Sequence, residues 1–219
     1  MIDKVLENIA VLLLEVIGFI ASPIYLFALT LLIIEIDYEY IENILEINNL
    51  ILFLGIYVIG YIIRSGSLFF GNCNHFDIRI EVEEEISDTE IYQVVKSDIS
   101  KKINIDENKL SFRDIRNIEF SKRPPIADKA YLFMFRANLF FDIFIINLVS
   151  IFLVLSYHLI YLIIISFFGE IVNGLNVITS LVIVFIAFIL WKPLLKARKY
   201  FFRISYSLPI THYIAHEKL

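Results

Sequence analysis

The sequence predicts an all-α membrane protein with four transmembrane helices, both termini cytoplasmic, and a small α+β cytoplasmic insert between the second and third helices. Three observations predict this. Of 219 residues, 58% are hydrophobic and 20% charged, with a mean hydropathy of +0.74; soluble domains sit nearer half apolar and a quarter charged. The apolar residues are gathered into runs that match the roughly 20 helical residues needed to cross a hydrocarbon core. All 19 Lys and Arg residues fall at Lys4, between Arg64 and Arg136, or from Lys192 onward, and such an uneven spread orients short loops, because basic loops stay cytoplasmic.

The four spans are the uncharged runs 16–34, 47–63, 143–169 and 171–191. The second is the shortest, and Leu68, Phe69 and Phe70 extend its apolar character past Arg64, whose long side chain is expected to snorkel to the interface. Between the first two spans lie Glu35, Asp37, Glu39, Glu42 and Glu46 with no base, which places that loop outside. The N-terminus carries one Lys and no small-residue cleavage pattern after its apolar run, so the first span is expected to remain as an anchor. The chain divides into a hairpin over 1–71, the insert over 72–129, a second hairpin over 130–195 and a basic-aromatic cytoplasmic tail over 196–219.

Within the insert, Phe76, Ile78, Ile80 and Val82 alternate with Asp77, Arg79 and Glu81, the period of a half-buried strand. Ser87 to Glu90 reads as a capping box, followed by a helix with Ile91, Val94, Val95 and Ile99 on one face and Lys101 and Lys102 in its last turn. Residues 104–108 form a turn, Leu110, Phe112, Ile115 and Ile118 return toward strand, and Pro124-Pro125 closes the unit. About 50 such residues bury little core alone, so the insert is expected to lean on the membrane helices, another subunit or a partner. The third helix starts near residue 130, ahead of its span, with Arg136 and Asp142 in its first turns. Those turns either stand in the cytoplasm against the insert or lie in the interface.

Net charge is −5, which gives no global field to hold nucleic acid, and no direct nucleic-acid binding is expected. The single Cys73 excludes an intrachain disulfide and a Cys-rich metal site. Phosphate-loop, Gly-x-Ser-x-Gly and His-Glu-x-x-His motifs are all missing. His212 and His216 share a helix face, but two ligands are too few for a metal. The expectation is a non-enzyme without metal or cofactor.

Polar residues inside the spans are more informative, since unpaired polar groups in hydrocarbon are costly. Asn147, Ser150, His158 and Tyr161 line one stripe of the third span, and Asn173, Asn176 and Ser180 a second on the fourth. Each reads as an inter-helix packing stripe or the lining of a water path. Gly18 and Ser22 form a small-x-x-x-small contact on the first span, beside Pro23 and Glu15. Lys122 and Arg123, with Lys196, Arg198, Lys199 and Arg203 in the aromatic-rich tail, are candidates for contact with a partner or an anionic membrane surface. Stripes of this kind need partners, so a homo-oligomer is expected beside the lipid bilayer itself.

Size, topology, the central insert and the Ile/Phe/Lys/Asn-rich usage of Ile-Ser-Lys-Lys-Ile-Asn-Ile-Asp-Glu-Asn (99–108) resemble those of the membrane subunits of the Kiwa anti-phage defence system. The resemblance covers the whole chain and implies an oligomeric inner-membrane sensor of phage-induced envelope disturbance that works through a soluble DNA-binding partner on the cytoplasmic side. It carries over no individual residue. Two other classes stay open at this level: a pore-forming effector triggered at the insert, and an immunity protein against a membrane-active toxin.

Overall fold

A computed structural model describes residues 16, 19–29, 49–71, 77–168 and 177–217. Among them every regular element is a helix, with no strand. Its elements are α1 (Phe19–Leu29), α2 (Asn49–Gly71), α3 (Ile78–Ser87), α4 (Glu90–Ile103), a 3-10 turn (Glu107–Lys109), α5 (Phe112–Lys122), α6 (Pro124–Phe168) and α7 (Val177–Glu217).

Two expectations are corrected. Three helices among the described residues, α2, α6 and α7, are long and apolar enough to cross a membrane, rather than four. A span needs about 20 continuous helical residues; within the first run the described helix is Phe19–Leu29, and the rest of that run, apart from Val16, lies outside the described residues. The α+β insert is likewise replaced by helices, and the reason is local. Ile78, Val82 and Ile86 recur every four residues, so the same letters that alternate over one short window also make a helical stripe; Val82 and Ile86 are the buried pair. Asp77 caps this helix by accepting from the Arg79 amide at 3.0 Å. The second strand gives way to α5, which opens on a full capping box between Ser111 and Asp114 and buries Phe112, Ile115 and Glu119.

The intervening helix forms where expected, with a different cap and face. Thr89, not Ser87, receives the Tyr92 amide, and the buried face is Tyr92, Val95 and Ile99 while Ile91 and Val94 are exposed. Asn104 ends α4 at a φ of 55°, a left-handed turn that Asn tolerates better than most residues. Pro124-Pro125 opens a helix instead of closing a unit: proline suits a first turn, whose amides have no intrahelical acceptor. The 45 residues of α6 would measure about 68 Å, far more than a bilayer core.

The structure separates into two compact units, with α6 and α7 contributing residues to both. The first comprises the described residues of Met1–Phe69 and Leu139–Leu195. Its core gathers Leu29, Ile146, Val154 and Ile183, with Tyr25, Leu26 and Ile63 against them, while Ile62, Phe152, Leu159, Phe185 and Phe188 point outward, as lipid-facing side chains do. Gly60 brings α2 against α1: a methyl group there would overlap the Phe19 carbonyl. The second comprises the described residues of Phe70–Asn138 and Lys196–Leu219. In its core Val82, Val95, Ile99 and Ile115 pack with Phe202, Tyr206, Ile210 and Tyr213 of α7. Phe112 bridges Tyr92 at 5.5 Å and Tyr206 at 5.8 Å between ring centroids. The aromatic tail is thus largely core, with Tyr200 left exposed.

Gly60→Ala should destabilise the α1–α2 contact by about 1–3 kcal/mol, the usual range for overpacking. Gly55→Ala on the same helix, where an added methyl group meets nothing, should melt with the wild type. Thermal unfolding of both variants in lipid nanodiscs checks the contrast, and equal melting of the two would sink it.

Candidate functional site

In the first unit, Arg64 on α2 and Asp142 on α6 form an ion pair at 3.0 Å, with the residues 7% and 1% exposed. Burial of both charges corrects the expectation that Arg64 snorkels. Asp142, just ahead of the long apolar run, supplies a counter-charge within the protein, and pairing there avoids an isolated ion in a low-dielectric site. The guanidinium also stands 5.8 Å from the centre of the Phe19 ring. No spacing rule joins positions so far apart; the signal available was that each charge borders an apolar run.

The stripe residues take up inter-helix positions. Asn147 is buried and its Oδ1 accepts from the Tyr25 hydroxyl of α1 at 2.6 Å. His158 Nε2 lies 3.0 Å from the hydroxyl of buried Ser180 on α7. Ser150 is buried, and Tyr161 is half-buried, its ring nearly parallel to that of Tyr157 at 6.5 Å. Ser22 is 1% exposed. Gly18, Asn173 and Asn176 lie outside the described residues, as do Glu15, Cys73, His75 and Phe76.

The uncharged run of α7 ends at Trp191, and Lys192, Lys196, Arg198, Lys199 and Arg203 follow on the same helix. There, charge gathers at two places in the second unit. Lys199 Nζ donates to Glu81 at 2.7 Å and to Glu85 at 2.6 Å, tying α7 to α3. The Lys199 bond holds the Glu85 carboxyl below its ordinary range. The larger cluster surrounds the last turns of α7. Lys102 of α4 donates to the Tyr213 hydroxyl at 2.9 Å and to Glu217 at 2.7 Å, while Tyr213 donates to Asp98. Arg123, at the joint between α5 and α6, donates to Glu217 at 3.0 Å and to His212 Nδ1 at 2.8 Å. His212 and His216 stack with ring centroids 4.0 Å apart. Hydrogen bonds to Glu217 and Tyr213 raise the Lys102 ammonium, and the same Lys102 bond lowers Glu217.

Of the six basic candidates, Arg123 and Lys199 are thus held in these intramolecular pairs. Arg198 is buried, its guanidinium 5.7 Å from the Phe202 ring centre. Lys122 reaches buried Glu119 at 3.4 Å, and Lys196 and Arg203 are exposed. Among the described residues no group of three or more His, Cys, Asp or Glu side chains is arranged to hold a metal ion.

Removing one member of the buried pair leaves the other uncompensated, so Asp142→Leu should cost about 3–5 kcal/mol, whereas Arg64→Met combined with Asp142→Leu should restore most of that loss. Unfolding in nanodiscs measures both; a single variant as stable as wild type would show that the pair does not hold α2 to α6. No protein-family model, curated protein or solved structure matches the chain.

Proposed function

We propose that the chain is a non-catalytic, oligomeric membrane subunit of a bacterial anti-phage defence system, of the Kiwa type, that senses envelope disturbance and passes it to a soluble cytoplasmic partner. Three helices among the described residues are long and apolar enough to cross a membrane, which supports this reading. The observation that carries the reading is the second unit: a helical body with its own aromatic and aliphatic core, joined in sequence to those helices and rich in surface charge. Such a body suits docking better than it suits anchoring. The bases between Arg64 and Arg136 and beyond Lys192 favour a cytoplasmic position for this unit, in the inner membrane.

The stripe supports the same choice over a pore. Asn147 and His158 meet Tyr25 and Ser180 across helix interfaces, as packing residues do; a water path would need them turned to its lumen.

The test is purification of the tagged full chain from its native host into lipid nanodiscs, followed by mass measurement and identification of what accompanies it. A symmetric oligomer with a stoichiometric soluble protein is expected. A monomer without a partner would overturn the reading in favour of toxin immunity, and a partner-free ring that conducts ions would overturn it in favour of a pore-forming effector.

A further inference from the structure

The last turns of α7 are fastened by side chains that differ in how they respond to acid. Arg123 is the decisive neighbour, because a guanidinium only donates. Its contact with His212 Nδ1 at 2.8 Å therefore requires a lone pair on that nitrogen, with the imidazole neutral and its proton on Nε2. A second proton on His212 would put N–H against N–H and positive charge against positive charge.

The surroundings offer little relief. On α7 itself His216 stacks on the ring, and Glu217, four residues on from Tyr213, is already engaged by Arg123 and Lys102. From the α5–α6 joint come Arg123 and Lys122, from α6 Lys129, and from α4 Lys102 with Asp98, which accepts from Tyr213. Cations outnumber the acids around the two histidines.

We propose that the C-terminal turns of α7 form an acid-released clamp, in which protonation of His212 breaks its bond to Arg123 and loosens the end of α7 from the α5–α6 joint, while the Lys102–Glu217 contact to α4 persists. Burial first, and then His216, Arg123 and Lys129, hold the imidazole below its ordinary value, near 6.5 for an unperturbed histidine. A group whose folded value is depressed in this way stabilises the fold above the unfolded value and ceases to do so as pH falls through the folded one. The clamp is therefore closed at neutral pH and opens on acidification. Glu217, held low by Lys102, stays ionised through this window. As the stimulus of the sensor proposed above, acid on the cytoplasmic side rests on that reading; the opening itself is observable without any partner, so the two fail separately.

Spin labels at Ser121 and Ala215, both exposed, in a Cys73→Ser background of the full chain in nanodiscs, report the distance between the α5–α6 joint and the end of α7 by double electron-electron resonance. A single narrow distance is expected at pH 7.5 and a broader, longer distribution at pH 5.5, with the midpoint below 6.5. His212→Gln, whose amide oxygen accepts from Arg123 at any pH, should keep the narrow distance at both. A distribution that does not change in the wild type, or one that still opens in His212→Gln, would overturn the proposal. Opening abolished by His216→Gln and not by His212→Gln would also overturn it, by moving the switch to the other ring. Circular dichroism at both pH values ensures that each variant is folded.

Discussion

Phe202, Tyr206, Ile210 and Tyr213 lie far along the chain from the helices between residues 78 and 122, yet share a single core with them. Lys102 and Tyr213, bonded to each other, are 111 residues apart. Three short helices, the longest of 14 residues, are below the length at which isolated helices persist in water, so packing on α7 fixes them. Everything else in the second unit follows from that dependence. Tyr206 organises the ring layer with Phe112 and Phe202, Ser205 donates to the Ala130 carbonyl of α6 at 2.7 Å, and the charged clusters close the margins.

The first unit is governed by a different constraint. In hydrocarbon the hydrophobic effect does not draw helices together, and association rests on close packing and on polar groups that find each other. Gly60 against Phe19 supplies the close approach. Tyr25 with Asn147, His158 with Ser180, and Arg64 with Asp142 supply polar contacts. Each joins a different pair of helices, α1–α6, α6–α7 and α2–α6, so α6 takes part in all three.

Composition makes the apolar runs of α2, α6 and α7 legible and overcounts the spans at four where three helices among the described residues are long enough, while Asn147, His158 and Ser180 stand out for the same reason in reverse. Where the letters serve two periods, as in Ile78, Ile80 and Val82, local pattern does not decide; the outcome turns on Ile86 and the Asp77 cap. Ser111 with Asp114 carries a helix-start signal that a reading of Leu110 and Phe112 as an extended pair misses. Pro124-Pro125 marks a boundary in either reading, and only the direction of the helix beyond it was hidden. The Arg64–Asp142 pair and the cluster around His212 are tertiary, built from residues with no local relation. Their charges are visible one by one, their partnership is not.

A dependence on distant chain also has a consequence in time. The apolar faces of α3, α4 and α5 are synthesised well before Tyr213 exists, and at about 5–20 residues per second the interval from Ile115 to Tyr213 lasts on the order of 5–20 s. During that interval α6 and α7 must both be delivered to the bilayer while the half-built unit waits with its core open. Quality control at the membrane therefore has a natural checkpoint in this protein: a chain interrupted between Trp191 and Phe202 would carry its long apolar helices and still present an unclosed, protease-sensitive domain.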